Sequence, residues 1–216
     1  HGRLRPATIA VAGGRPAPER DAPVGPSIVL SSTYRGAGEP VPGERMYGRA
    51  SNPTWDDFES VLGQLEGSPL PSLAFASGVA SISAVLSLVP LGGRVVVPVH
   101  VYMGTMTLVR EAEQEGRIRV DAVEVTDTDA VLAAAEGADL VLLESPTNPM
   151  LEVADLPEIL AGTRRLGVLS CVDSTFTTPL LQRPLAWGAD LVVHSATKYL
   201  AGHSDVVLGA ATAVDP

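Results

Sequence analysis

Short apolar runs alternate along the chain with segments whose apolar residues recur at helical spacing. The runs predict β-strands, whereas the periodic segments predict helices. Strands are predicted at 73–76, 95–99, 118–125, 140–144, 168–173 and 191–194, and helices around Ile82 to Val89 and at 105–115, 129–135 and 155–166. Strands that are apolar on both faces and separated by helices indicate an α/β fold with a mainly parallel sheet. Such sheets bind ligands at the carboxyl ends of their strands.

The first 45 residues have a different character. They are rich in Pro, Gly and Arg without a sustained period, which predicts an extended arm that is mobile or laid on a partner subunit. The first helix is predicted to begin at Asn52 and Pro53, a capping residue followed by a favoured first helical residue. The sequence thus predicts an N-terminal arm at 1–45 and one folded domain at 46–216.

Composition narrows the classes of function. The 216 residues are 45% hydrophobic and carry a formal net charge of −10 with scattered Arg, which argues against binding to a nucleic acid backbone. The lone Cys171 excludes an internal disulfide and suits the cytoplasm, and its apolar surroundings favour a buried core residue over a nucleophile. The uncharged stretch 67–90 is interrupted by Pro and Ser, so we expect buried structure there and no membrane contact. No secretory signal is visible.

Lys198 is the single lysine of the chain, which has 15 Lys and Arg residues in total. It follows a predicted strand that ends at His194. Most lysines are solvated surface residues, and taken alone Lys198 would be read as one of them. A lysine that forms an imine must be unprotonated for part of its cycle, which requires burial or a cationic neighbour. A pyridine ring that stores electrons also needs a carboxylate beside its nitrogen. Asp173 at a strand end suits this role, although a turn or capping residue is an equally good interpretation.

A phosphate group needs helix N-terminal N–H groups and hydroxyls, and Ser77 with Gly78 supplies such a helix start. Ser195 and Thr197 can add hydroxyls from the lysine loop. Ser-Gly before a helix is more often only a cap, so this signal is weak by itself. Neither a P-loop nor a dinucleotide fingerprint follows a strand, and a nucleotide-binding domain is therefore poorly supported.

Five segments together resemble the Cys/Met-metabolism family of pyridoxal 5'-phosphate (PLP) enzymes, which includes cystathionine γ-lyase, cystathionine γ-synthase and methionine γ-lyase. The segments are Tyr47–Thr54, Phe75–Gly78, Glu144–Pro149, Val172–Phe176 and His194–His203. The resemblance runs in order through the chain after about residue 27. It implies the large domain of a PLP-dependent transferase of fold type I, similar to aspartate aminotransferase, without the C-terminal small domain of the family.

The resemblance also implies roles for individual residues. Lys198 resembles the Schiff-base lysine, and Asp173 resembles the partner of the pyridine nitrogen. Tyr102 resembles the tyrosine that stacks on the ring and assists proton transfer, and Asn148 the residue beside the phenolic oxygen. The implied phosphate cup consists of Ser77, Gly78, Val79, Ser195 and Thr197.

Tyr47 and Arg49 resemble the pair that reaches the phosphate of a neighbouring subunit, although loop surface is the alternative interpretation. An Arg side chain suits this task because its fork donates two parallel hydrogen bonds. The resemblance implies a homo-oligomer, at least a dimer and a tetramer of two dimers in its full form. The small-domain arginine that binds the substrate carboxylate is not identified in this chain.

Other polar residues near these segments are expected to be structural. Glu144 is predicted to orient its loop, and His194 and His203 to support the fold. No ligand spacing links these histidines to His100, so no metal site is expected. Met103 stands where the family commonly has Gly, and Gly104 stands where methionine-directed lyases have Cys.

The leading functional hypothesis is carbon–sulfur lyase chemistry on a sulfur amino acid by β- or γ-elimination, similar to that of cystathionine γ-lyase. The alternative on the same scaffold is γ-replacement on an activated homoserine, as in a cystathionine γ-synthase. A hypothesis of another class is a half-enzyme that contributes Tyr47 and Arg49 to a partner and turns over nothing alone.

Overall fold

A computed structural model describes residues 4–39 and 41–215 and contains one seven-stranded sheet in the order β1-β7-β6-β5-β4-β2-β3. The strands are β1 (Leu73–Phe75), β2 (Gly93–Pro98), β3 (Ile118–Val123), β4 (Leu140–Glu144), β5 (Leu169–Asp173), β6 (Leu191–Ser195) and β7 (Gly209–Ala213). The helices are α1 (Pro6–Ala12), α2 (Pro53–Glu66), α3 (Gly78–Leu86), α4 (Met103–Gln114), α5 (Thr128–Ala135), α6 (Leu156–Leu166) and α7 (Thr178–Leu181), with a 3-10 helix at Pro184–Trp187.

The sheet is mixed but mostly parallel. Strands β6, β5, β4, β2 and β3 pair in parallel, whereas β7 runs antiparallel to both of its neighbours, β1 and β6. Strand β1 therefore points in the same direction as the parallel set. The segments that follow β1, β2, β4, β5 and β6 all leave the sheet at one edge, which confirms the predicted α/β class.

Two apolar layers form the core on opposite faces of the sheet. Val96 faces the layer that contains α5 and α6, whereas its neighbours Val95 and Val97 face the layer with α3 and α4. This alternation follows from the two-residue period of a strand that is buried on both faces. Cys171 is fully buried in the second layer, as predicted, and burial raises the pKa of its thiol.

The N-terminal segment departs in part from the extended arm that its composition predicts. Pro6–Ala12 forms the helix α1, which packs against α2, so the expectation of an extended chain is wrong for these residues. Further along, the Val29 N–H donates to Thr54 Oγ1 at 2.8 Å. The Asn52 side chain caps α2 by accepting from the Thr54 N–H and also donates to the Val29 carbonyl at 3.2 Å. The predicted helix start is confirmed.

The predicted strands and helices after residue 52 are present, and most of their ends differ by up to two residues. Helix α3 is the exception, because it begins four residues and ends three residues earlier than predicted. Four elements were not predicted from the sequence: α1, α7, the 3-10 helix and β7. Within the described residues, no helix combines the length and apolar character that a membrane crossing demands.

Candidate active site

A cleft of about 990 Å³ opens at the carboxyl edge of the parallel strands. It brings together most of the residues that the sequence singled out, although they come from five separate segments of the chain. The predicted residues that line it are Ser77, Gly78, Val79, Tyr102, Asn148, Asp173, Ser195, Thr197 and Lys198.

The helix α3 begins at this cleft, immediately after β1. Ser77 caps the helix, and its Oγ accepts from the Ala80 N–H at 3.1 Å, which leaves its hydroxyl proton free to donate. Gly78 lies so close to the lysine loop that a Cβ atom added to it would be 2.7 Å from the Ser195 Cβ. Glycine at position 78 is therefore required, because a side chain would prevent the start of α3 from approaching the loop at Ser195 so closely. The first helical N–H groups lack intrahelical acceptors and point to where an anion can bind.

The two hydroxyls of the lysine loop differ in their hydrogen bonding. Thr197 Oγ1 accepts from the Leu208 N–H at 2.9 Å and donates to the Leu208 carbonyl at 3.2 Å. Its proton is thus directed at the backbone of the segment before β7 and not at the cleft. Ser195 adjoins Gly78 at the cup, and its Oγ has no hydrogen bond to the described residues, so it is the hydroxyl available to a ligand.

Asp173 ends β5 and is 8% exposed. Its Oδ1 accepts from the Thr175 N–H at 3.0 Å and from the Thr175 hydroxyl at 2.5 Å. The same Thr175 Oγ1 accepts from the Ser195 N–H at 2.8 Å, which links the carboxylate to the lysine loop. Burial raises the pKa of Asp173, and the two bonds from Thr175 oppose that rise. The hydrogen bonds of Asp173 within the described chain all use Oδ1, so Oδ2 remains for a cationic partner.

Glu144 ends β4 beside Asp173 and organises two neighbouring loops. Its Oε2 accepts from the Tyr102 N–H at 2.7 Å and from the Asn148 N–H at 3.3 Å. Burial and the charge of Asp173 raise the pKa of Glu144 to about 8. Glu144 is therefore mostly protonated at neutral pH. These bonds support the predicted role of orienting the loop that carries Asn148, and they extend it to Tyr102.

Lys198 lies in the turn after β6 and is exposed at the cleft. The burial that the sequence argument set as one condition for an imine-forming lysine is therefore absent in this chain. Tyr199 follows it and is 66% exposed, with its ring 6.3 Å from that of Phe176. Lys198 thus lines the cleft together with the hydroxyl residues Ser195 and Thr197 and the aromatic residues Tyr199 and Phe176.

Tyr47 and Arg49 do not line this cleft. Both are exposed, and the Arg49 guanidinium lies 5.1 Å from the centre of the Tyr47 ring, within the range of a cation–π contact. Gly48 between them is buried, and an added Cβ would lie 2.8 Å from the Ser31 carbonyl oxygen. The arm thus fixes the backbone of this pair while both side chains face outward.

Several cleft residues were not selected from the sequence. Thr175 is the most important of these because it joins Asp173 to Ser195. Its position two residues after Asp173, typical of an Asx turn, was the available signal. The other lining residues that were not selected are Ile82, Phe176, Tyr199, Gly202, Ser204, Asp205, Val206 and Val207.

The predicted structural histidines lie outside the cleft lining. His194 is fully buried on β6, and its Nε2 lies 2.5 Å from Glu66 Oε1, a carboxylate at the end of α2 that is also fully buried. His203 is exposed, and its Nδ1 lies 2.8 Å from the Ala201 carbonyl oxygen. The contact of His194 supports its predicted role in the fold.

The residues of the cleft fit a phosphorylated pyridine aldehyde. The start of α3 and Ser195 provide donors for a phosphate, and Lys198 is an amine within the same cleft. Asp173 is a buried carboxylate with a free oxygen, which suits a protonated ring nitrogen. A phosphorylated pyridine aldehyde uses all three features at once: its phosphate meets the start of α3, its ring nitrogen meets Asp173 and its aldehyde meets the amine of Lys198.

Comparisons with known proteins identify the family of the chain. The sequence model of the family described as Cys/Met metabolism PLP-dependent enzyme matches residues 7–216. A cystathionine gamma-synthase of Escherichia coli is 44% identical over 97% of the chain and 55% of its own length. A cystathionine beta-lyase of Lactococcus lactis is 41% identical over 95% of the chain and 54% of its own length.

A solved structure of similar fold leads to the same family. The cystathionine gamma synthase of Xanthomonas oryzae pv. oryzae superposes with a TM-score of 0.91 at 36% identity, covering 99% of this chain and 56% of that chain. The chain thus spans about half the length of the relatives it matches.

Proposed function

We propose, since the chain belongs to the family of Cys/Met metabolism PLP-dependent enzymes, that it forms the cofactor-binding part of an enzyme acting on the carbon–sulfur bonds of sulfur amino acids. The observation that supports this most directly is the convergence of Lys198, Asp173 and the start of α3 on one cleft. The buried single cysteine suits a reducing cytoplasm, which we propose as its location.

The chain's own residues divide the work within the cleft. PLP, when bound, supplies an electron sink for bonds at the α-carbon of an amino acid. Lys198 would hold the cofactor and move the proton at the substrate α-carbon, because it lines the same cleft as Asp173 and the start of α3. Asp173 would keep the ring nitrogen protonated through Oδ2, while Thr175 holds Oδ1. The start of α3 and Ser195 bind the phosphate.

Tyr102 and Asn148 line the part of the cleft next to Glu144. Because the backbones of both are tied to Glu144, their side chains are presented together. We assign Tyr102 the roles of covering the ring and moving a proton to the departing group, and Asn148 that of contacting the phenolic oxygen. Tyr102 is 40% exposed, so it is accessible to a substrate.

Carbon–sulfur elimination of the cystathionine γ-lyase type is the reaction we propose first, and γ-replacement is the second candidate. The 44% identity to the gamma-synthase of Escherichia coli favours keeping the second candidate. We expect the complete protein that contains this chain to convert cystathionine and water into cysteine, a keto acid and ammonia. Product analysis in parallel with O-acyl-homoserine plus cysteine tests this. Formation of cystathionine in the second reaction, without breakdown in the first, would establish the synthase instead.

We further propose that Arg49 acts across a subunit interface. Arg49 and Tyr47 face away from their own cleft, and the cup segments themselves offer the phosphate no guanidinium. A neighbouring copy that places Arg49 at this cup would supply the missing charge. The proposed assembly is a homodimer at least, with a tetramer of two dimers as its full form.

Replacing Arg49 by Ala should weaken cofactor retention roughly 10- to 100-fold, as expected from losing about 1.5–3 kcal/mol of charge-assisted hydrogen bonding. Dimer stability should fall with it, because a ligand bound at an interface stabilises that interface. The measurements are equilibrium dialysis of PLP and sedimentation of the complete protein. Arg110→Ala, which removes an exposed guanidinium from α4, serves as the control.

A mixture of Arg49→Ala chains with Lys198→Ala chains locates the arginine. If Arg49 serves the neighbouring site, one of the two sites in a mixed dimer has both residues intact and binds PLP covalently. Proven mixed dimers that fail to regain covalent binding would place Arg49 outside the neighbour's site.

A further inference from the structure

A histidine and two glutamates meet beside the candidate active site. His100 follows β2, Glu124 follows β3, and Glu152 lies in the loop after β4. Each offers one nitrogen or oxygen atom, and the three atoms lie within 4.8 Å of one another. We call this set the His–Glu–Glu cluster. Because β2 is hydrogen-bonded to both β3 and β4, three adjacent strand ends bring the set together.

Glu152 is held in place by hydrogen bonds to a buried neighbour. The Thr147 hydroxyl donates to Glu152 Oε2 at 3.1 Å, and the Glu152 N–H donates to Thr147 Oγ1 at 3.0 Å. Thr147 is fully buried, so it provides a rigid support. Metal ligands that are oriented by such hydrogen bonds bind more tightly than mobile ones.

The charges of the cluster are not balanced by permanent cations. His100 Nδ1 lies 3.1 Å and 3.2 Å from the two carboxylate oxygens of Glu152. Within residues 4–39 and 41–215, no Lys or Arg forms an ion pair with Glu124 or Glu152. The carboxylates of Glu124 and Glu152, whose oxygen atoms lie within 4.8 Å of each other, repel one another. The half-exposed imidazole of His100 offsets the charge of at most one of them.

We propose that the His–Glu–Glu cluster binds a divalent transition cation such as Zn²⁺. One imidazole nitrogen and two carboxylate oxygens form a mixed donor set that suits Zn²⁺, whereas Mg²⁺ and Ca²⁺ prefer oxygen ligands alone. The ligand atoms need to approach more closely to reach zinc distances of about 2.0–2.2 Å. Side-chain rotations accomplish this for Glu124, which is exposed and projects from a strand end.

A cation bound to the His–Glu–Glu cluster would connect two segments of the chain that line the cleft. His100 precedes Tyr102 by two residues, and Glu152 shares the loop between β4 and α6 with Asn148. A bound cation therefore clamps the two segments that form one wall of the cleft. This inference is independent of the proposed reaction, because it concerns binding by residues that do not line the cleft.

Calorimetric titration of the complete, tag-free protein with ZnCl₂ tests the site. We expect one cation per chain at this site in the unaltered protein and at least about 10-fold weaker binding in Glu124→Gln. Glu115→Gln, which removes an exposed carboxylate at the end of α4, should bind as the unaltered protein does. Equal binding by Glu124→Gln and Glu115→Gln, or no binding by the unaltered protein, would overturn the proposal.

Two further measurements exclude trivial explanations. Thermal denaturation without metal should give a midpoint for Glu124→Gln at least as high as that for Glu115→Gln, since the first substitution also removes the repulsion between Glu124 and Glu152. At a ZnCl₂ concentration below the Kd of Glu124→Gln, the midpoint of Glu115→Gln should rise while that of Glu124→Gln stays close to its metal-free value. MgCl₂ at the same concentration should raise neither, and a matching rise with MgCl₂ would contradict the mixed-donor assignment.

Discussion

Lys198→Ala should abolish covalent cofactor binding and lower kcat of the complete protein by at least about 10²–10⁴-fold, the range for loss of a positioned proton-transfer group. The amine of Lys198 lies in the same cleft as Asp173 and the start of α3. Its removal takes away both the covalent attachment and the base at the α-carbon. The unaltered protein should be yellow with PLP, and borohydride should fix the cofactor to the peptide that contains Lys198.

The composition of this chain makes that labelling experiment unusually clear. Lys198 is its one lysine, so a labelled lysine peptide from this chain has a single assignment. Lys198→Arg serves as the charge-retaining control, because a guanidinium keeps the positive charge but does not condense with an aldehyde at neutral pH. A colourless unaltered protein in excess PLP, or label on other peptides alone, would contradict the role of Lys198.

The sequence predicted the inner strands β2, β4, β5 and β6 most clearly because these strands are buried on both faces. Runs such as Val95 to Val97 leave a continuous apolar signal that polar loops interrupt. Strand β7 gives no such signal, since Gly209 to Ala213 consists of small residues. Gly209 itself packs directly on the backbone of Ser77, and an added Cβ would collide with it. That contact joins residues far apart in the chain.

Residue types and motifs predicted which residues form the candidate site. They did not predict the hydrogen bonds that connect these residues. Thr175 joins Asp173 to Ser195, and Glu144 joins Tyr102 to Asn148, through hydrogen bonds between different loops. Such bonds depend on which strands are neighbours in the sheet. The order β4-β2-β3 likewise brings the His–Glu–Glu cluster together, although no ligand spacing in the sequence links its members.

Asp173→Asn should keep the phosphate contacts and the amine of Lys198, yet lower kcat by on the order of 10²–10³-fold. A neutral amide does not stabilise a protonated ring nitrogen, so the ring accepts electrons less readily. The measurements are the yellow colour, which should persist in excess PLP, and steady-state rates with cystathionine. Asp129→Asn, at an exposed position of α5, is the matched control and should retain normal rates.

The stability of the cofactor-free protein distinguishes a role of Asp173 at the ring nitrogen from a role in the turn with Thr175. Burial raises the pKa of Asp173, so the folded chain holds its proton at pH values where an unfolded chain has released it. The free energy of unfolding of the unaltered protein should therefore fall, relative to Asp173→Asn, as pH rises above the ordinary carboxyl range. The cofactor-free variant should then be at least as stable at neutral pH, despite its lower kcat. Denaturant titrations of both proteins across this range measure the difference. A variant that is less stable but turns over normally would show that Asp173 serves the turn with Thr175 and not the cofactor.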